Sequence, residues 1–173
     1  MESASTIDLK LFNSSHIGDV EGVLDALAQG GRVAMRTAQG GTPLLAAAQE
    51  GHSDICGLLL AYGGDVNEIH IGSNSTALHL AAAMGHNAVA EVLLSWGAIA
   101  DPQNHVGLTP LFMACQEGHM AFVLTLLKAG ASVTLQNSAM PIIAAAARNR
   151  VEILRTLIDF GCSPNSVSCR KYM

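Results

Sequence analysis

Aromatic residues are scarce, with one Trp, two Tyr and four Phe among 173 residues. Sandwiches and barrels lean on aromatic and β-branched side chains, so this scarcity points away from them. Half of the chain is nonetheless hydrophobic. Ala and Leu supply that bulk, which suits small helices packed closely together. No apolar run approaches the ~18 residues needed to cross a bilayer. The first stretch of the chain lacks the basic start and apolar run of a signal peptide. These absences lead us to expect a soluble chain in the cytoplasm or nucleus, with no membrane insertion.

Positive charge is missing from the middle of the chain. Residues 37–127 carry no Lys or Arg but seven acids: Glu50, Asp54, Asp65, Glu68, Glu91, Asp101 and Glu117. The flanks differ, with three bases against five acids in residues 1–36 and six bases against two acids in residues 128–173. Nucleic-acid affinity rests on Lys and Arg neutralising phosphates, so an acidic middle argues against it. Cysteine is sparse too. Cys56, Cys115, Cys162 and Cys169 form no CxxC pair, and Cys56 and Cys115 read as small core residues of a reduced protein rather than a disulfide framework.

What the chain does contain is a repeat. Thr42-Pro43-Leu44 recurs as Thr76-Ala77-Leu78, as Thr109-Pro110-Leu111 and, altered, as Met140-Pro141-Ile142. Gly51-His52, Gly85-His86 and Gly118-His119 follow the first three at one fixed distance. Paired leucines come next at Leu59-Leu60, Leu93-Leu94 and Leu126-Leu127, and each unit closes on Gly63, Gly97, Gly130 or Gly161. Thr at an N-cap accepts a backbone N–H, and Pro just inside the helix sacrifices no hydrogen bond. The following alanines, Ala46 to Ala48 and Ala81 to Ala83, keep this first helix thin. The next glycine ends it and permits a tight turn. A second helix then carries apolar residues at helical spacing: Ile55, Leu58 and Leu59, then Val89, Val92 and Leu93, then Val123, Leu126 and Leu127.

This pattern resembles the ankyrin family, whose unit is a β-turn and two antiparallel helices over ~33 residues. The resemblance implies an all-α ankyrin-repeat solenoid of stacked helix–turn–helix units joined by β-hairpin-like loops. It covers residues 1–166 as one domain, with repeats over about 7–36, 37–68, 69–102, 103–135 and 136–166 and a tail over 167–173. In repeat 1, Gly18-Asp19 replaces Gly-His, Val20, Val23, Leu24 and Leu27 form the second helix, and Asn13, Ser14, Ser15 and His16 are expected to make a polar outer face. The loop holding Ile69-His70-Ile71-Gly72 is one residue longer than its counterpart in repeat 4, and the hairpin before Met140 is shortened. Repeat 5 also loses its Thr N-cap, at a cost of about 1 kcal/mol. It either caps itself with Arg148, Arg150, Glu152 and Arg155 or belongs to a longer protein.

Catalytic and metal chemistry find little purchase. His52, His86 and His119 lie one per repeat, about 10 Å apart in a stack, whereas zinc ligands sit about 2 Å from one ion. His79 occupies a position that, in ankyrin proteins, hydrogen-bonds backbone between repeats. Cys115 and His119 are four apart, but Gly118 should end the helix between them and no third group orients them. Gly30-Gly31 and Gly40-Gly41 are not followed by the Lys-Ser or Lys-Thr of a phosphate loop. We expect no enzyme activity, no cofactor and no metal.

The resemblance points instead to a surface. Ankyrin partners are usually gripped by the hairpin tips and by the exposed ends of the first helices, which line the concave face. The matching helix positions are Gln49, Glu50, Ala83, Met84, Gln116, Glu117, Ala147 and Arg148. The hairpin positions are Gln39, Gly41, Ser73, Ser75, His105, Val106 and Leu108. The expected function is non-catalytic binding of another protein, as a monomer, the partner bringing basic or polar groups to Glu50 and Glu117 and an apolar group to Met84. The alternatives are a stoichiometric enzyme inhibitor, or the N-terminal part of a longer structural, channel or adaptor protein. Trp96 is either partly buried against its neighbour or an anchor on the back face. Asp65-Val66-Asn67 resembles the hairpin motif modified by a 2-oxoglutarate-dependent asparaginyl hydroxylase, which marks Asn67 for hydroxylation in an animal cell.

Overall fold

The computed structural model describes residues 4–134 and 140–162. Its helices come in pairs. Repeat 1 holds α1 (Ala4–Ile17) and α2 (Val20–Ala28), repeat 2 α3 (Pro43–Glu50) and α4 (Ser53–Ala61), and repeat 3 α5 (Ala77–Met84) and α6 (Asn87–Ser95). Repeat 4 holds α7 (Pro110–Glu117) and α8 (Met120–Lys128), and repeat 5 α9 (Pro141–Ala147) and α10 (Val151–Asp159). The first helices pack in series, α1 on α3 on α5 on α7 on α9, and the second helices form a parallel layer behind them. Buried leucines and alanines from both layers make one continuous core.

The caps follow the chemistry expected of them. Thr42 Oγ1 accepts the N–H of Leu45 at 3.2 Å and Thr109 Oγ1 that of Phe112 at 3.3 Å. At Met140 no side chain caps α9. The glycines closing the second helices share one geometry, in which Gly63 N–H reaches Leu60 O and Gly64 N–H reaches Leu59 O, and the pairing recurs at Gly97, Gly130 and Gly161.

Between the two helices of a pair, glycine answers a second requirement. Gly51, Gly85 and Gly118 have φ of 87°, 78° and 92°, which favours glycine on backbone grounds alone. A Cβ on Gly51 would also lie 2.7 Å from the His86 ring, and one on Gly85 2.5 Å from the His119 ring. Each ring in turn contacts the repeat before it, His52 Nε2 at 3.2 Å from His16 O, His86 Nε2 at 3.0 Å from Gln49 O and His119 Nε2 at 3.2 Å from Ala83 O. Gly-His is thus a clasp between neighbours. In repeat 5 Asn149 takes the glycine position at φ 54°, and Arg150 Nη2 donates to Glu117 O at 2.6 Å in place of the imidazole.

One expectation fails in repeat 1. Asn13 and His16 are exposed, but Ser14 and Ser15 are buried. Counted back from Gly18, Ser15 falls at the position of Ala48, where the next repeat packs, and its hydroxyl donates to Leu11 O at 2.7 Å. A small side chain with an internal partner tolerates that burial. The exposed apolar residues of this pair are Leu9, Ile17, Val20 and Leu24 instead. The shortened hairpin before Met140 and the 167–173 tail lie outside the described residues.

Candidate protein-binding face

Hairpins 36–41, 69–76 and 103–108 stand beside the N-termini of α3, α5 and α7. The first is closed by Thr37 N–H to Gly41 O and the third by Asn104 N–H to Leu108 O. The middle one is a residue longer, closed by His70 N–H to Ser75 O and an antiparallel bridge between Ile69 and Thr76. Asn74 absorbs the extra residue at φ 52°. Neighbouring tips are tied together: Arg36 Nη1 donates to Ile69 O at 2.8 Å, and Ser73 O accepts from His105 N–H at 2.9 Å and from His105 Nδ1 at 2.8 Å. The tips therefore form a connected rim.

A cleft of about 430 Å³ runs between this rim and the first helices. Leu45, Ala46 and Leu80 form its floor, Phe12 and His16 one wall, and Thr37, Gln39, Gly41, Gln49, His70 and Ser73 its polar edge. Phe12 and His16 stack with centroids 6.5 Å apart and rings within 6° of parallel. His16 Nδ1 lies 3.9 Å from Glu50 Oε1.

The structure brings Gln39, Gln49 and Ser73 together at this cleft, with Glu50 beside it. Met84 is 55 % exposed at the end of α5. Along the same stripe Glu117 and Arg148 are exposed and Gln116 is half-buried, its Nε2 donating to Glu117 Oε1 at 3.0 Å. His105 and Val106 are exposed at the third tip, and Leu108 is half-buried with its carbonyl facing His79. Ser75 differs, since it is only 7 % exposed and its carbonyl accepts His70 N–H inside the hairpin. It offers a partner almost no surface. Phe12, His16, Ile17, His70 and Leu80 were not anticipated here. Counting back from Gly18 would have found the first three, because they stand where Leu45, Gln49 and Glu50 stand in repeat 2.

The remaining candidates fall into structural roles. His79 is fully buried, with Nδ1 accepting Thr76 N–H at 3.1 Å and Nε2 facing Leu108 O across the repeat boundary at 3.0 Å. This fixes a neutral imidazole with its proton on Nε2. Burial pushes its pKa below the ordinary value, and the carbonyls of Leu108 and Pro102 offset part of that effect. Cys56 and Cys115 are fully buried and burial pushes both thiols up to about 12, so neither is a nucleophile at neutral pH. Asn67 Oδ1 accepts Ile99 N–H at 2.9 Å, joining repeats 2 and 3. Trp96 is 49 % exposed at the C-terminal end of α6, and Tyr62 and Ile99 are exposed too. Among the described residues no three His, Cys, Asp or Glu gather where a metal could sit, and no helix is long and apolar enough to cross a membrane.

Stacked helix pairs, inter-repeat clasps and a tied hairpin rim define a repeat solenoid. A family model described as ankyrin repeats (3 copies) matches residues 11–104 and 97–168. The chain belongs to the ankyrin-repeat family, whose repeats generally serve as protein–protein interaction modules. It is 32 % identical over 149 residues to the ankyrin repeat and KH domain-containing protein mask-1 of Caenorhabditis elegans, which covers 84 % of this chain and 6 % of that protein. It is 38 % identical over 90 residues to ankyrin repeat and SOCS box protein 5 of Oryctolagus cuniculus, covering 51 % of this chain and 27 % of the relative. A putative ankyrin repeat protein of fowlpox virus is 36 % identical over 163 residues, 92 % of this chain and 37 % of its own length. The chain thus spans only a small part of these curated relatives.

Proposed function

We propose that this chain binds a partner protein, without catalysis, through the face made by its hairpin rim and first helices. The cleft between α1, α3, α5 and the first two hairpins carries the proposal, because it joins an apolar floor to a rim of amides and imidazoles. The fixed repeat residues are engaged in packing and clasps, whereas the side chains along this face change from repeat to repeat: Gln49, Ala83, Gln116 and Ala147 at one position, and Glu50, Met84, Glu117 and Arg148 at the next. A partner segment would place an apolar side chain in the cleft and basic or polar groups towards Glu50 and Glu117. The rim is preorganised by its own hydrogen bonds, so binding forfeits little ordering entropy. The chain acts in this reading as a cytoplasmic monomer.

The test is affinity capture from cell lysate with the chain as bait, scored against Glu50→Lys with Glu117→Lys. Both carboxylates are exposed, and surface substitutions usually change stability by under about 0.5 kcal/mol. The double variant should lose the partner while keeping its urea midpoint. Equal capture by both proteins would remove the site from this face. Asn67 carries a separate proposal from its motif, namely hydroxylation in animal cells. Peptide mass spectrometry of protein purified from such cells should show one added oxygen on Asn67, and its absence would end that proposal.

A further inference from the structure

The cleft under the hairpin rim continues into a second hollow. This one, of about 440 Å³, lies between α1 and the first hairpin and is lined by Ser5, Asp8, Asn13, Arg32 and Arg36 among others. Phe12, Thr37 and Gln39 line both hollows, so the two are halves of one groove along α1 from Ser5 to His16. At 1.5 Å per helical residue that run is about 16 Å, the reach of about five residues of extended chain. Charge changes sign along it. At the Ser5 end Arg32 and Arg36 are exposed and anchored. Arg32 Nε and Nη2 donate to Asp8 Oδ2 at 2.9 and 2.6 Å, yet the Arg32 side chain is 73 % exposed and that of Asp8 only 4 %. Arg36 Nη1 donates to Ile69 O at 2.8 Å, and Glu68, the carboxylate that feels its charge, is half-buried. A ligand arriving from water therefore meets two guanidinium groups before either acid. At the His16 end Glu50 is exposed, with His16 Nδ1 3.9 Å from its Oε1 and the Gln49 amide donating to it at 3.3 Å. No Lys or Arg lines that half.

We propose that this groove takes an extended segment of a partner protein in which an apolar residue stands between one basic and one acidic residue, the two charges about four residues apart. The assignment rests on the hairpin-face reading above and on charge complementarity between the groove's two ends and the segment. The apolar side chain lies over Leu45 and Leu80 against Phe12. The base pairs with Glu50, where the Phe12 and His16 rings also attract a cation. The acid pairs with Arg32 and Arg36, whose guanidinium forks suit a carboxylate. Exposed pairs of this kind add little affinity each. Their effect is to select the partner and fix the direction in which its segment runs.

Selection of random dodecapeptides displayed on phage against the full chain tests this. Enriched peptides should share a base and an acid about four positions apart around an apolar residue, in one consistent order. A synthetic copy of an enriched peptide should bind Glu50→Lys roughly fivefold more weakly than wild type, the size of one exposed ion pair. A copy with its base replaced by Glu should bind Glu50→Lys better than it binds wild type. Arg36→Gln keeps an amide donor for Ile69 O and should weaken the peptide, but not a copy whose acid is replaced by Gln. Enrichment without this charge order, no enrichment at all, or no recovery by the exchanged pair would overturn the proposal. Gln49→Arg, which obstructs the cleft, separates it from the broader reading. Peptides that lack the charge order but are lost with Gln49→Arg would end the charge rule and leave the hairpin face as the site. Peptides that bind Gln49→Arg as well as wild type would count against both.

Discussion

Replacing His79 by Leu tests how a buried imidazole holds repeats 3 and 4 together. The corresponding residue of repeat 2 is Leu45, which is buried in the same setting, so the substitution preserves shape and hydrophobic packing. It removes the hydrogen bonding of two ring nitrogens, Nδ1 with Thr76 N–H and Oγ1 and Nε2 with Leu108 O. At about 0.5–1.5 kcal/mol each, the expected loss at pH 7.5 is about 1–3 kcal/mol. The pH dependence is the sharper part. Because burial lowers the folded pKa of His79, the unfolded chain takes up the proton first. The neutral imidazole's contribution is complete above about pH 6.5 and is lost as pH falls towards the folded pKa. Wild type should therefore lose up to about 1.4 kcal/mol between pH 7.5 and 5.5 that the Leu variant does not lose. Urea unfolding at pH 7.5, 6.5 and 5.5 reads it directly. A constant gap between the two proteins across that range would refute the account of His79.

Further expectations concern other joints of the stack. Gly85→Ala should cost about 1–2 kcal/mol from its left-handed backbone alone, and more because the new Cβ meets the His119 ring at 2.5 Å. Adding His119→Ala should recover only the part due to the ring, which a double-mutant cycle in urea would measure. Glu68 is half-buried and accepts a hydrogen bond from Thr42, and burial raises its pKa against the smaller opposing effects of Thr42 and Arg36. A raised carboxyl pKa favours the folded state below about pH 4.5 and loses that contribution as pH rises through the folded value. Glu68→Gln should therefore raise the urea midpoint at pH 7, with a gain that vanishes in acid. Amides of α9 and α10 should exchange faster than those of α5, since repeat 5 lacks a side-chain cap at Met140 and has one neighbour fewer. Equal protection would contradict this.

The repeat was legible because packing imposes it. Thr caps, turn glycines and paired leucines recur wherever a thin first helix must lie against its neighbour. The one-residue insertion near Ile69–Gly72 could be counted from glycine to threonine, and it appears as the longer hairpin closed at His70 and Ser75. The clasp was less legible. A sequence shows that His follows Gly, but not that the ring of one repeat lies over the glycine of the repeat before it. Arg150 therefore went unrecognised as a substitute for histidine. Ser14 and Ser15 misled because composition suggested an outer face where repeat phase dictated an inner one. The cleft was visible only in part. Gln39, Gln49 and Ser73 followed from family position, whereas Phe12, His16 and His70 join them only once repeat 1 and the longer hairpin are in place. Ser75 shows the converse, a hairpin residue turned inward by the hydrogen bond at its carbonyl.

The central claim is that the hairpin face, not the second-helix side, meets the partner. Photo-crosslinking in cells asks this directly, with a photoreactive side chain placed in turn at Gln49, His105 and Glu91. The first two lie on the hairpin face and Glu91 is exposed on α6. The account predicts one shared crosslinked species from Gln49 and His105 that is absent from Glu91 and lost with Glu50→Lys and Glu117→Lys. A species formed from Glu91 and not from Gln49 or His105 would contradict it and move the binding site to the side that carries Trp96.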